Sequence, residues 1–214
     1  MKLSSLLIII SALTFLSCDG RGDTTVANEP TAFVEQTDIV GEEEQIQTLI
    51  RQMLNWAETP EGVNLLPLLH DSGDSLYIGI DMDKFRVTVT QFRETGFFAD
   101  EFIDNYSRII TILDSQYRSG KIEPSYVGEI PPITFATEVD PWTLCQDVPY
   151  DSPTLWDNVT VEIKTITDNQ VEFVWKWGGL GVNEHAGWKD FSYNARAVKE
   201  NGKWKVSYLE GFRL

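Results

Sequence analysis

The sequence predicts an α+β fold, with helices first and a curved antiparallel sheet after them. Three observations carry that expectation. Apolar residues recur at three and four between Ile46 and Ala57, and again between Phe102 and Tyr117, the spacing of one buried helix face. From Val159 to Tyr208 they alternate instead, the period of strands with one covered face. Two short polar turns, Asp168-Asn169 and Asn201-Gly202, interrupt that alternation where hairpins would close.

The chain opens on Lys2 and an apolar run from Leu6 to Leu16. That is the length of a signal-peptide core and well short of the roughly 20 residues that span a bilayer. Phe15, Leu16 and Ser17 then lead into Cys18. A bulky apolar pair, a small residue and a cysteine resemble the lipobox of bacterial lipoproteins, with Phe15 where leucine is usual and Ser17 in the common glycine or alanine place. The resemblance implies cleavage before Cys18, diacylglycerol on its thiol and acylation of its new amino group. Each buried methylene adds about 0.8 kcal/mol and stable anchoring takes more than one chain, which this acylation supplies. Residues 1–17 are therefore expected to be a signal peptide and Cys18 the lipidation site. The expected location is the bacterial cell envelope, periplasm-facing or on the outer surface, with the lipid membrane as the first partner. The competing fate of Cys18 is a disulfide with Cys145, the second of two cysteines. Lipidation excludes it and leaves Cys145 as a lone thiol, expected free and buried, with an intermolecular bond as the alternative.

The formal charge is −16. Loss of residues 1–17 removes Lys2 and no acid, so −16 becomes −17. Such a body is repelled by phosphate backbones, and nucleic-acid binding is not expected. A small apolar or cationic ligand is the complementary expectation.

Residues 18–40 are polar, rich in small residues and without period, and read as a tether. A coil of that length spans roughly 25 Å. Its Arg21-Gly22-Asp23 matches an integrin-ligand tripeptide, too short to carry information. Residues 41–214 are then one α+β domain, long enough for a sizeable core. Its first helix carries Ile46, Leu49, Ile50, Met53, Leu54 and Ala57, opens on the acidic turn Glu42-Glu43-Glu44, and stops near Thr59-Pro60. A shorter element runs through "VNLLPLLHD", broken at Pro67. The stretch "DKFRVTVTQFRE" is ambiguous, because Val87-Thr88-Val89-Thr90 favours a strand. Phe85, Val89 and Phe92 share a helix face, Asp81 can cap it and Gly96 can end it, so a helix is the expectation. The clearest helix places Phe102, Ile103, Tyr106, Ile109, Ile110, Leu113 and Tyr117 on one face and closes at Gly120. A proline-rich passage, 122–153, follows without period; so long a loop is often functional. The strands then present Val159, Val161 and Ile163; Val171, Phe173, Trp175 and Trp177; Phe191, Tyr193, Ala195 and Ala197; and Trp204, Val206 and Tyr208.

The strand "FSYNARAVKE", the turn Asn201-Gly202 and the strand "KWKVSYL" resemble the end of the nuclear-transport-factor-like, cystatin-related α+β cone. The segment "EVDPWTLCQD" before the sheet is similar to small exported members of that superfamily. The resemblance covers residues 42–214 and departs from compact members in its early extra helix and long middle loop. It implies a sheet wrapped around helices with a pocket at the wide end, a site that members use for catalysis, for ligands or for nothing recognisable.

Much chemistry is excluded by reading. The sequence has no phosphate-cradling glycine loop followed by lysine, no H-E-x-x-H, no G-x-S-x-G and no C-x-x-C. Its two histidines, His70 and His185, lie far apart, so no multi-histidine metal site is expected, and no cofactor. Asp81-Met82-Asp83 opens like a calcium loop, but Arg86 and Phe92 stand where glycine and glutamate are required.

Two stretches remain. "WKWGGLGVNEHAGWKDF" brings Glu184, His185 and Trp188 beside three glycines, which a hairpin loop also needs. "DPWTLCQD" sets Asp140, Gln146 and Asp147 around Trp142, a carboxylate-aromatic group suited to a cation or small polar ligand. The expected function is ligand or partner binding without catalysis, in a pocket bounded by Trp142, His185, Trp188 and Tyr193. The alternative is an acid–base isomerase or dehydratase using Asp140, Asp147 or His185 as base and Tyr106 or Tyr193 as donor. A third possibility, a structural subunit docking through an aromatic sheet face, requires that face to be exposed.

Overall fold

A computed structural model describes residues 36–59, 63–129, 135, 139–149, 154–181 and 186–214, with side chains from residue 41 onward. Cys18, the RGD tripeptide, Glu184 and His185 lie outside them. Among the described residues, four helices, α1 (Gln36–Ala57), α2 (Met82–Thr95), α3 (Asp100–Arg118) and the short α4 (Ala186–Lys189), accompany two antiparallel sheets. The first sheet has the order β1 (Leu68–His70), β2 (Leu76–Ile80), β3 (Ser125–Tyr126). The second is the expected meander, β4 (Val159–Ile166), β5 (Gln170–Trp177), β6 (Tyr193–Glu200) and β7 (Lys203–Leu209), preceded by a 3-10 turn at Leu155–Asn158. Among the described residues, no helix is long and apolar enough to cross a membrane.

The helices follow their apolar stripes. Ile46, Leu49, Ile50, Met53 and Leu54 of α1 are buried, as are all seven expected residues of α3. α1 starts at Gln36, five residues inside the stretch read as tether, so Glu42, Glu43 and Glu44 lie within the helix and not at its first turn. The ambiguous α2 is a helix because both of its ends are specified. Asp81 accepts from the amides of Asp83 (3.1 Å) and Lys84 (3.0 Å), while Gly96 takes the left-handed conformation at φ 71°. Its Phe92 sits among the rings of Trp56, Phe98, Phe102, Tyr106 and Trp142, at centroid distances of 4.9–6.3 Å.

Both hairpin turns stand where the sequence places them. Thr167 N–H donates to Gln170 O at 2.8 Å across Asp168-Asn169, and Asn201 and Gly202 have φ of 53° and 76°, the signature of a type I′ turn. One strand face needs correction. Tyr208 does not share a face with Trp204 and Val206, because a bulge leaves Ser207 unopposed between Ala197↔Val206 and Arg196↔Tyr208. Leu209 takes the buried place, and Tyr208 lies under the Arg196 guanidinium at 5.6 Å. The passage "VNLLPLLHD" becomes a strand only after Pro67.

The inner face of the meander is covered. Val171, Phe173, Trp175, Trp177, Tyr193, Ala195, Ala197, Trp204 and Val206 are all buried, which counts against a subunit docking through that face. The β4 edge is closed by α1: Arg51 donates to Val159 O at 2.9 and 2.8 Å, and Gln47 accepts from Val161 N–H at 3.2 Å. Such capping blunts an edge that would otherwise template further strands.

Candidate functional site

A cavity of about 480 Å³ opens between the C-terminal end of α1, the loop 140–148 and the 3-10 turn before β4. Its wall is made by Leu54, Ala57 and Glu58 from α1, by Asp140, Trp142, Thr143, Cys145, Gln146, Asp147 and Val148 from the loop, and by Trp156.

The loop holds its shape through one side chain. Asp140 Oδ1 accepts from Trp142 N–H and Oδ2 from the Thr143 hydroxyl, both at 3.1 Å. Its carbonyl accepts from Leu144 N–H at 2.8 Å. That turn drives Leu144 to φ 55°, an uncommon state for a branched residue, held here by the surrounding bonds. Trp142 is thereby set into the core, only 7% exposed, with Phe212 at 4.6 Å and Trp56 at 6.2 Å.

The loop is also locked from behind. Tyr193 is fully buried; its hydroxyl donates to Pro141 O and accepts from Gly211 N–H, each at 2.8 Å. Gly211 is required for that approach, because a Cβ there would lie 2.0 Å from Pro141 O. Tyr193 was expected on the ligand wall; it is a strut behind the wall, its hydroxyl engaged on both sides. Tyr106 is likewise enclosed, donating to Leu65 O at 3.1 Å, and does not line this cavity. Burial pushes both phenols above their ordinary pKa. Trp188 is half-buried on α4 and is not among the described lining residues, so of the described members of the expected ligand set, Trp142, Trp188 and Tyr193, only Trp142 lines it. Asp147 stands exposed at the rim.

Sequence reading missed Glu58 and Trp156. Trp156 Nε1–H donates to Glu58 Oε2 at 2.5 Å, and its ring stacks on Trp177 at 5.7 Å. Glu58 did leave a signal: it follows directly on the C-terminal end of α1, whose last turn has no basic residue. A carboxylate there opposes the helix dipole, so its place needs another reason.

The electrostatics are one-signed. Burial raises the Asp140 pKa above its ordinary 3.8; the bonds from Trp142 and Thr143 pull the other way, and the Glu58 charge adds to the rise. Cys145 is a half-buried free thiol. Burial raises its pKa, against a bond with Trp177 and with the help of the Asp140 charge, so it is a poor nucleophile. Among the described residues, no group of three or more His, Cys, Asp and Glu is arranged to hold a metal ion. What the cavity offers is two indoles, three carboxylates and no basic side chain among its described lining residues. Neither a family model nor a curated protein nor a solved structure matches this chain.

Proposed function

We propose that this protein is an exported lipoprotein, anchored in the cell envelope through acylated Cys18, whose α+β domain binds a small organic cation. The domain would be a nuclear-transport-factor-like cone; α1 and α3 packed on the covered face of a four-stranded meander support that reading. One observation carries the choice of ligand. The cavity at 140–148 puts Glu58, Asp140 and Asp147 beside Trp142 and Trp156, with no lysine, arginine or histidine among the described lining residues. Indole faces attract an ammonium ion by about 0.5–1 kcal/mol when exposed and more when desolvated. Apolar walls with a few convergent charges are the usual form of a small-molecule site.

Choline and its uncharged carbon analogue make the test, read by tryptophan fluorescence on the full chain. Choline is expected to bind saturably and the analogue far more weakly. Asp140→Asn should remove the difference. The pH dependence has a definite sign. A cation favours ionised Asp140, so affinity is held above its raised pKa and falls as pH drops through it. Equal binding of the two compounds would sink the reading.

The second reading, an acid–base enzyme, is supported by the same raised carboxyl with a hydroxyl donor, Thr143, at 3.1 Å. Both Asp140 oxygens are engaged in the turn, which favours binding over proton transfer. Turnover of a bound carbonyl or hydroxy compound, lost in Asp140→Asn with the fold intact, would reverse that order.

A further inference from the structure

The second cleft is larger, about 880 Å³, and lies between residues 41–52 of α1, the turn at Thr95, Gly96 and Phe97, and the start of β7. It borders the edge of β7 at Lys203, Trp204 and Lys205. Val206 turns its backbone away from β6, donating to Phe97 O at 2.8 Å and accepting from Ala99 N–H at 2.9 Å. Antiparallel pairs alternate, so with Lys205↔Val198 and Trp204↔Lys199 in register, Trp204 points its N–H and C=O outward again. Neither group has a backbone partner among the described residues. The edge is thus occupied at Val206 by residues 97–99 and open one step earlier, inside the cleft.

The opposite wall suits the same task. Gln45, Thr48 and Gln52 lie at i, i+3 and i+7 on α1, exposed, lining the cleft, and without a side-chain hydrogen bond among the described residues. They are uncharged donors and acceptors in a strongly acidic chain. The same helix already holds the backbone of β4 in this way through Gln47 and Arg51.

We propose that this cleft takes an extended peptide segment of a partner protein. The segment adds as a short strand on β7 at Trp204, in line with residues 97–99, and its other backbone edge is held by Gln45, Thr48 and Gln52. Strand addition to an exposed edge draws its affinity from main-chain bonds. The occupant is a peptide because one residue offers an outward amide and carbonyl together, the pair another backbone satisfies.

Random linear peptides displayed on phage, selected against the full chain, supply the probe; the best is then synthesised. Binding should slow hydrogen exchange of the Trp204 amide. N-methylating the peptide at alternate positions should cost at least roughly tenfold in Kd in one of the two registers, the loss of one or two such bonds. Replacing Gln45, Thr48 and Gln52 by alanine should cost a similar factor with the urea midpoint unchanged. The proposal is overturned if no peptide is selected, if the bound peptide protects residues elsewhere, or if both N-methylated registers bind as well as the parent. It is equally overturned if binding appears only after deletion of residues 19–35, which would make the chain's own segment the occupant, or if oligosaccharides on an array take the cleft instead.

Discussion

The two hollows along α1 differ in what makes them. The cavity at its C-terminal end is a product of side chains: Asp140 shapes the loop, Tyr193 and Gly211 lock it, and Trp142 and Trp156 face it with carboxylates. The cleft along residues 41–52 is a product of backbone, an interrupted sheet edge facing the uncharged side chains of Gln45, Thr48 and Gln52, with Glu44 beside them. The first is over-determined, so single substitutions should disturb it strongly. The second rests on exposed groups whose removal leaves the fold alone.

The largest effect is expected at Gly211. A methyl group there meets the Pro141 carbonyl at 2.0 Å, and backbone cannot give way as a flexible side chain does. Gly211→Ala should cost on the order of 3 kcal/mol in urea unfolding and abolish choline binding together with the Trp142 environment seen by near-ultraviolet circular dichroism. An unchanged midpoint would show that the loop is not locked from behind.

Tyr193→Phe removes the strut without changing shape much. It strands the buried Gly211 amide and Pro141 carbonyl, each worth about 1–3 kcal/mol when unsatisfied. About 2 kcal/mol of stability should be lost. Ligand affinity should fall less, because the cavity wall itself is untouched. Were Tyr193 a ligand group, affinity would fall first and stability hardly at all.

Glu42 stands where the second hollow meets the sheet. It accepts from Lys199 Nζ at 2.8 Å and from the Trp204 indole, with Lys199 lying 4.7 Å over that ring. Burial pushes the Glu42 carboxyl up, but these bonds outweigh it and hold its pKa below the ordinary 4.5. A depressed carboxyl stabilises the fold above its unfolded-state pKa and loses that contribution as pH falls through the folded value. Glu42→Gln should therefore cost about 1 kcal/mol at neutral pH and nothing in acid below that value, a difference that urea titrations at the two pH values resolve.

Legibility in the sequence followed the range of the interactions. All seven buried positions of α3 could be read because a helix face is a local pattern, and α2 could be rescued from its β-branched run because both caps, Asp81 and Gly96, are local too. The Tyr208 face failed because one unopposed residue, Ser207, inverts the alternation, and a bulge leaves no mark in composition. The small sheet was missed for a stronger reason: β2 pairs with a two-residue strand at Ser125 and Tyr126, far along the chain and too short to show a period. In the cavity, Asp140, Trp142 and Asp147 were legible because they fall within eight residues of one unusual loop. Glu58 and Trp156 meet across 98 positions, and only the misplaced helix-end charge hinted at the first.

The smallest effect separates the two hollows most sharply. Gln45, Thr48 and Gln52 are exposed on an α1 face whose opposite side carries the core residues Ile46, Ile50 and Met53. Replacing all three by alanine removes no buried contact and raises helix propensity slightly. The urea midpoint should stay within about 0.5 kcal/mol of the parent, and choline binding at the other end of α1 should be unchanged. Destabilisation beyond that range would mean that these side chains support the fold, and the cleft would then belong with the cavity, as packing that holds α1 to the sheet.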